Sequence, residues 1–251
     1  MGKDIIIDIQ NLSHRFPNGA VGVDRVSHTL LKGEFVIMAG PNGSGKTTLL
    51  RHLNGLLMPS DGDVRIKGVP IKGNLLHTRQ VVGMVFQDAD SQIIGETVRE
   101  DVAFGPENLG WDPAAVDRQT DWALTKVGLS HKAGVSPHLL SGGEKRRLAI
   151  AGVLAMQPEI ILFDEPFSNL DYPGICQVVD QMKALKREGH TLVVTSHDMD
   201  PVLGLADRLV ILDRGRIVKD GDPARVAADA AAFGIRPPLG FLQMAPGQRP
   251  V

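Results

Sequence analysis

The chain has 251 residues, of which 43% are hydrophobic and 22% charged, and these values suit one large α/β domain of a globular protein. A net charge of −2 excludes broad, charge-driven nucleic-acid binding, and the single cysteine, Cys176, excludes an internal disulfide and fits a reducing compartment. No run reaches the about 18 consecutive apolar residues of a transmembrane helix, so we expect a chain made and kept in the cytoplasm.

Strand-like runs alternate with helical patterns, which predicts parallel strands joined by crossover helices. Ahead of them, residues 5–9 and a turn at Pro17-Asn18-Gly19 predict an antiparallel β segment. Residues 209–218 predict a late hairpin. The predicted fold class is therefore α/β with a mostly parallel core sheet. Its predicted strands are residues 35–39, 81–86, 160–163 and 191–195.

Between about residues 90 and 157 the pattern becomes mostly helical, with loops signalled by Gly105-Pro106, Asp112-Pro113 and Ser136-Pro137. We interpret this stretch as a helical subdomain inserted into the α/β core. The last segment begins with an alanine-rich helical run and ends in a proline-rich stretch that we expect to be loosely ordered. One domain is thus predicted for residues 1–251, with a core of residues 1–89 and 158–222, a helical subdomain of residues 90–157 and a tail of residues 223–251.

A complete P-loop motif lies directly between a predicted strand and a predicted helix. Its glycines let backbone N–H groups turn around phosphate oxygens, Lys46 supplies positive charge to the terminal phosphates, and Thr47 offers a hydroxyl to Mg²⁺. The motif indicates a nucleotide-phosphate site, but it does not separate GTPases, kinases, helicases and transporters. The predicted nucleotide ligands here are Gly40, Pro41, Asn42, Gly43, Ser44, Gly45, Lys46, Thr47 and the adjoining Thr48.

Two adjacent carboxylates, Asp164 and Glu165, end an apolar strand at the carboxyl edge, where ligands bind in sheets of this kind. Asp164 can hold Mg²⁺ there through its water shell, as acidic residues do in P-loop enzymes. Glu165 is predicted to polarise the attacking water, a contribution of about 10²–10⁴ in rate. His197 follows another predicted strand and should emerge at the same edge, where it could bond the γ-phosphate and orient the water.

The run Leu140-Ser141-Gly142-Gly143-Glu144 precedes a helical stretch and would place a second set of N–H donors at a helix N-terminus. With this motif the chain resembles the ATPase subunits of ABC transporters, over about residues 5–222 and in the family's order of motifs. The resemblance identifies residues 40–47 as Walker A, residues 140–144 as the signature, and residues 160–164 with Glu165 as Walker B and its catalytic glutamate.

Four further residues take family roles by this resemblance. Phe16 sits where the family carries an adenine-stacking aromatic, with phenylalanine in place of the usual tyrosine. Gln87 resembles the Q-loop glutamine, which implies a contact to Mg²⁺ and a link to the helical subdomain. Asp171 lies in the D-loop beside the nucleotide, and His197 is the switch histidine. The implied catalytic set is Glu165, His197, Gln87 and Lys46, and the implied metal set is Thr47, Gln87 and Asp164.

The resemblance implies ATP and Mg²⁺ as cofactors and a second ATPase subunit as partner. Two subunits would meet head to tail, with each ATP between the P-loop of one and the signature of the other, so that association follows ATP binding. We expect a homodimer, and a heterodimer with a sister ATPase stays open. A transmembrane coupling subunit would hold the pair at the cytoplasmic face of the cell membrane as a peripheral protein.

Within the family, residues 85–106 and 140–156 resemble the energy-coupling factor (ECF) group, including its cobalt/nickel-type ATPases, and residues 233–238 do so more weakly. In that group another membrane protein captures the substrate, and residues 93–104 are our candidates for the contact with the coupling subunit. We predict uptake of cobalt or nickel, with biotin or another vitamin as the alternative.

Three non-importer classes fit less well. Repair and chromosome ATPases interrupt the domain with long coiled coils, translation-factor types carry two cassettes, and fused exporters carry transmembrane helices. A nucleotide-gated switch that binds ATP but scarcely hydrolyses it is the competing hypothesis from another class. Glu165 favours the hydrolase, because a pure switch could dispense with the carboxylate that activates water.

Overall fold

The computed structural model describes residues 4–239, in which ten strands form two sheets. In chain order the strands are β1 (Ile5–Arg15), β2 (Val21–Leu31), β3 (Phe35–Ala39), β4 (Asp61–Ile66), β5 (Val69–Pro70), β6 (Val82–Val85), β7 (Ile160–Asp164), β8 (Thr191–Ser196), β9 (Arg208–Asp213) and β10 (Arg216–Gly221). The α-helices are α1 (Lys46–Leu53), α2 (Leu75–Val81), α3 (Val98–Asn108), α4 (Pro113–Lys126), α5 (Gly142–Ala155), α6 (Tyr172–Arg187) and α7 (Pro223–Ala228).

The larger sheet has six strands in the order β10-β9-β3-β8-β7-β6. Its five strands from β9 to β6 run parallel, and β10 pairs antiparallel with β9. The pairs Ala39↔Ser196 and Asp164↔Thr195 bring the carboxyl ends of β3, β7 and β8 to one edge. The chain segments that follow these three strands therefore start side by side.

Both faces of this sheet are covered, which explains why its central strands read as unbroken apolar runs. Along β3, Phe35 and Ile37 join a hydrophobic cluster shared with the helices, whereas Val36 and Met38 join a cluster shared with the smaller sheet. Strand β7 alternates in the same way. Because successive side chains of a strand point to opposite faces of the sheet, each of these strands contributes to both hydrophobic clusters.

The smaller sheet is antiparallel, in the order β2-β1-β4-β5. Strand β1 is longer than the predicted residues 5–9, because it continues through an irregularity at Asn11, whose φ of 48° interrupts the pairing between Ile9 and Leu12. After Arg15 the chain turns at residues 17–19, as predicted, and returns as β2. This turn brings Phe16 to the end of the sheet.

Helices α3, α4 and α5 pack on one another, and α5 also packs on β6. Side chains that accept backbone N–H groups start all three helices: Thr97 for α3, Asp112 for α4 and Ser141 for α5. None of the helices within residues 4–239 combines the length and apolar character needed to cross a bilayer.

The predicted helical stretch, the core strands and the late hairpin are confirmed, as is the α/β fold class with a mostly parallel core sheet. One prediction is wrong: Gly105-Pro106 lies inside α3 and not in a loop. Pro106 falls in the last turn, where its missing N–H costs a single bond, and its ring is buried with Val102. The division into core, subdomain and tail stays a prediction, and residues 240–251, with the proline-rich end, lie outside the described part.

Gly83 in β6 leaves no room for a side chain against α5. A Cβ built there would lie 2.4 Å from Cγ1 of Val153 and 3.1 Å from Cγ of Pro158. We expect Gly83→Ala to lower the free energy of unfolding by about 1–3 kcal/mol, the usual cost of overpacking, as measured by urea denaturation. Gly134→Ala is the control, because nothing lies within 4 Å of its built Cβ. Equal stability of the two variants would contradict tight packing between β6 and α5.

Candidate functional site

The loop after β3 folds back over its own backbone before α1 begins. Gly43 and Gly45 adopt φ values of 80° and 102°, and a Cβ on Gly45 would lie 2.3 Å from the carbonyl oxygen of Gly22. Only glycine fits both constraints. Lys46 is buried at the start of α1 and its Nζ donates to the carbonyl oxygens of Gly40 (2.7 Å) and Pro41 (3.2 Å). The carbonyl oxygens of Gly40 and Pro41 thus bind the lysine, and neither residue lines the open cavity described below.

Hard oxygen donors meet where α1 faces β7. The Thr47 hydroxyl donates to Oδ1 of Asp164 at 2.9 Å, and the Thr195 hydroxyl donates to the same oxygen at 2.8 Å. Asp164 is buried at the end of β7. A hydroxyl and one carboxylate beside a phosphate loop fit Mg²⁺, which is bound in proteins by one or two carboxylates, waters and substrate phosphates. The predicted positions Thr47 and Asp164 are therefore adjacent.

The Glu165 carboxylate lies between the ammonium group of Lys46 and the ring of His197. Oε1 lies 3.4 Å from Nζ of Lys46, and Oε2 accepts a hydrogen bond of 2.8 Å from Nδ1 of His197. The backbone N–H of Glu165 donates to the Thr195 hydroxyl at 3.0 Å, and its φ of 44° is unusual for a non-glycine residue. Such a backbone conformation persists only where the surroundings enforce it, and it is common at functional sites.

These groups line one open cavity of about 540 Å³, called here the first cavity. Most of the predicted site residues are brought together on its wall, including Phe16, Gln87, Glu165 and His197. Residues 20–22, where β2 begins, also line it and were missed by the sequence reasoning. Their only sequence signal is their place just after the turn at residues 17–19. The full lining is Phe16, Ala20, Val21, Gly22, Asn42, Gly43, Ser44, Gly45, Lys46, Thr47, Thr48, Gln87, Glu165 and His197.

The signature residues line a different, second cavity of about 480 Å³, together with Asp171. Ser141 and Glu144 form a reciprocal cap of α5, with Ser141 N donating to Oε2 of Glu144 at 2.9 Å. Lys132 bonds the other carboxylate oxygen, and this bond with the cap lowers the pKa of Glu144 to about 2. Both oxygens of the Glu144 carboxylate are therefore bonded within the chain. The backbone N–H groups of Gly142 and Gly143 and the Ser141 hydroxyl, which only accepts in the cap, remain as donors for an anion.

Asp171 caps α6 in the same cavity, where Oδ1 accepts from Gly174 N at 2.9 Å. One chain thus presents two separate sets of predicted nucleotide ligands. The residues of the P-loop, with Gln87, Glu165 and His197, line the first cavity, and Ser141, Gly142, Gly143, Glu144 and Asp171 line the second.

Arg146 joins these two regions and was missed by the sequence reasoning. It extends from α5 with only 3% of its surface exposed, and its Nη atoms donate to the carbonyl oxygens of Phe86 and Gln87. Burial lowers the pKa of the guanidinium. Lys145 adds a bond of 2.6 Å to Asp90. The only signal in the sequence is the basic run directly after the signature, which reads equally well as a solvated helix face.

An apolar groove of about 470 Å³ lies between β6 and the helices α2, α3 and α5. Apolar side chains dominate its walls, among them Leu56, Leu76, Met84, Phe86, Ile94, Phe104 and Met156. Arg79 and Asp101 are the charged residues on the wall. The Asp101 carboxylate accepts from the backbone of Ile94 at 2.8 Å and of Gly95 at 3.0 Å, which fixes the segment that carries Ile94.

Comparison with known proteins places this geometry in context. Residues 23–168 match the family model described as ABC transporter. A protein of Methanocaldococcus jannaschii named energy-coupling factor transporter ATP-binding protein EcfA is 43% identical over 227 residues, which cover 89% of this chain and 81% of that protein.

Two solved structures share the fold. The structure of cbiO1 from Clostridium perfringens, part of the ABC transporter complex cbiONQ, superposes with a TM-score of 0.82 at 32% identity and covers 90% of this chain and 92% of that one. The dimeric, post-hydrolysis structure of the ATP-binding cassette MJ0796 bound to ADP and Pi gives a TM-score of 0.78 at 27% identity, covering 86% and 98% of the two chains.

Proposed function

Because the chain belongs to the ABC transporter family, as the ATP-hydrolysing subunit of an energy-coupling factor transporter, we propose that it energises uptake of cobalt or nickel through a separate transmembrane coupling protein. The observation that carries the catalytic part is the Glu165 carboxylate, held between Lys46 and His197 on the wall of the first cavity. The choice of metal rests on the resemblance of the whole chain to cobalt/nickel-type ATPases.

Different residues of the first cavity would bind the phosphates and the base of the nucleotide. The N–H groups of residues 42–47 and Lys46 would bind the phosphates, and Phe16 would stack on the adenine. Thr47, Gln87 and Asp164 would hold Mg²⁺, with Asp164 acting through water, and the ion would neutralise charge on the β- and γ-phosphates. A triphosphate entering the loop competes with Glu165 for Lys46, so binding would release the carboxylate toward water.

The hydrolytic step follows from the freed carboxylate. Glu165 accepts a proton from a water as the water oxygen bonds the γ-phosphorus and the bond to the ADP oxygen breaks. The proton then returns to the products, which are ADP and inorganic phosphate. In its doubly protonated form His197 would donate through Nδ1 to Glu165 and through Nε2 to the γ-phosphate.

A second copy of the chain is needed to complete the site in this proposal. The P-loop lines one cavity and the signature lines another, so one chain alone cannot enclose a triphosphate with both. Two copies arranged head to tail would place the second cavity of each over the first cavity of the other. ATP bound between the two copies would then stabilise the dimer, which would dissociate after hydrolysis.

The apolar groove is the proposed binding site for the transmembrane coupling subunit. Of the predicted contact residues 93–104, Ile94 and Phe104 line it with 58% and 48% of their surfaces exposed, whereas Val98 and Val102 are buried in the chain's own core. Exposed apolar side chains of this size commonly mark interaction sites. Through this contact the chain would sit at the cytoplasmic face of the membrane as a peripheral subunit.

Substitution of Glu165 tests the hydrolytic role. We expect Glu165→Gln to lower steady-state phosphate release by about 10²–10⁴-fold, because the amide cannot accept the proton, and to accumulate an ATP-bound dimer in light scattering. Glu159→Gln is the control, since Glu159 pairs with Lys67 away from the first cavity. Hydrolysis by Glu165→Gln at the rate of the unsubstituted chain would remove Glu165 from this role.

Substitution of Ser141 tests the shared site. Ser141→Arg fills the second cavity and should prevent ATP-driven dimerisation while leaving the affinity of the single chain for ADP unchanged. Gel filtration of the Glu165→Gln background with and without Ser141→Arg measures the first effect, and calorimetry measures the second. Ser130→Arg, an exposed serine outside the second cavity, is the control. A normal ATP-bound dimer with Arg at position 141 would contradict the head-to-tail arrangement.

Substitution in the groove tests the membrane partner. Phe104→Glu places a charge on the apolar wall and should abolish co-purification with the coupling subunit and uptake of radioactive cobalt or nickel in cells. Val218→Glu, at an exposed apolar residue of β10, serves as the control for added charge. Retained uptake with Phe104→Glu, at an unchanged unfolding midpoint, would exclude the groove as the docking site.

A further inference from the structure

Three aromatic rings connect Phe16 to the helix that follows the P-loop. The ring of His14 meets the ring of Phe16 edge-on, with centroids 4.7 Å apart, and meets the ring of His52 in the same manner at 4.8 Å. His14 belongs to β1 and His52 is buried in α1. A continuous contact therefore runs from Phe16, on the wall of the first cavity, to the helix that carries Lys46 and Thr47.

The hydrogen bonds of this cluster fix which ring nitrogens carry protons. Nδ1 of His52 lies 2.7 Å from the carbonyl oxygen of Thr48, and because a carbonyl can only accept, this nitrogen carries the hydrogen. Burial lowers the pKa of His52, which favours the neutral ring and leaves Nε2 as an acceptor. Nδ1 of His14, at 3.2 Å from that Nε2, must then be the donor.

The same N–H of His14 also faces the carbonyl oxygen of Met58 at 3.3 Å. One donor shared between two fixed acceptors holds the imidazole in a single orientation. His52 in turn is bonded to its own helix at Thr48, so the His14 ring is linked to α1 through His52. The two histidines thus transmit the position of the P-loop helix to the ring of Phe16.

Phe16 has little freedom on its other side. A Cβ built on Gly22 would lie 2.8 Å from Cε2 of Phe16 and 2.8 Å from Cγ2 of Thr48, so the ring and the methyl group both rest on the Gly22 backbone. The Phe16 backbone is closed by a bond from its N–H to the Ala20 carbonyl at 2.9 Å. The contacts with His14 and with the Gly22 backbone restrain the ring, which keeps 36% of its surface exposed on the wall of the first cavity.

We propose that His14 is a positioning residue for the nucleotide base: anchored to α1 through His52, it presents the Phe16 ring at a set distance from the phosphate loop. This inference rests on the proposed function, in which Phe16 stacks on the base. A platform fixed before binding loses less conformational freedom when the nucleotide arrives, so it raises affinity for nucleotides. It adds nothing to the affinity for a bare polyphosphate, which touches the loop alone.

The test compares ligands with and without a base. Calorimetry measures the Kd of ADP and of inorganic tripolyphosphate, both with Mg²⁺, for the unsubstituted chain and for His14→Ala, His14→Phe and Phe16→Ala. We expect His14→Ala to weaken ADP binding about threefold to tenfold, the size of a lost aromatic pair, and to leave tripolyphosphate binding unchanged. His14→Phe, which keeps a ring against Phe16 but loses the hydrogen bonds to His52 and Met58, should restore only part of the ADP affinity.

Steady-state kinetics gives a second readout. The KM for ATP should rise with His14→Ala while kcat at saturating ATP stays the same, and His77→Ala, a half-buried histidine on α2, should change neither value. Equal weakening of ADP and tripolyphosphate by His14→Ala would overturn the proposal, because His14 would then act on the P-loop itself. Unchanged ADP affinity in His14→Ala, or no restoration by His14→Phe, would overturn it too.

Phe16→Ala separates this proposal from the proposed function. If Phe16→Ala weakens ADP binding and His14→Ala does not, the base platform stands and His14 has no part in positioning it. If Phe16→Ala leaves ADP binding unchanged, Phe16 carries no base, and the role of His14 falls with it. Hydrolysis by the unsubstituted chain, measured in parallel, shows in both cases whether the ATPase assignment itself holds.

Discussion

The parallel pairing of β3, β7 and β8 is the constraint on which the site depends. In-register hydrogen bonds bring the ends of these strands to one edge, so the P-loop, the Asp164–Glu165 pair and the segment of His197 begin side by side. Residues more than a hundred positions apart thereby come within hydrogen-bonding distance, as the 2.9 Å bond between Thr47 and Asp164 shows. The two hydrophobic clusters on either face of the sheet hold this edge rigid.

Charge balance in the first cavity links binding to chemistry. Lys46 is buried and shares its charge among two carbonyl oxygens and the Glu165 carboxylate. Phosphates are stronger partners for a lysine than carbonyls, because both partners are then ionised. The arrival of a nucleotide would therefore rearrange the bonds of Lys46 and Glu165 together, which couples occupancy of the loop to the availability of the proposed base.

Cationic side chains of α5 link the helical part of the chain to this edge of the sheet. Arg146 carries a buried charge whose Nη atoms donate to the carbonyl oxygens of Phe86 and Gln87, while its buried Nε has no hydrogen-bond partner among the described residues. Loss of a further bond would be costly, because it would leave more of the buried guanidinium unpaired. A shift of Gln87 toward a bound metal would thus disturb α5, and with it the second cavity at the start of that helix. The apolar groove is lined by Ala149, Gly152, Val153 and Met156 of the same helix, so the proposed docking site lies close to this connection.

The sequence by itself determined most of the elements and supplied the proposed reacting groups. The P-loop, the paired carboxylates and the signature have fixed local patterns, because glycine conformations, helix caps and strand ends depend on neighbouring residues. Only the tertiary structure decided that Glu144 is committed to Lys132, that Arg146 reaches Gln87, and that His14 and His52 support Phe16. These contacts join segments distant in the chain, and their geometry depends on how sheet and helices pack. Tertiary packing also explains why Gly105-Pro106 is helical, since burial of Pro106 outweighed its local preference for a loop.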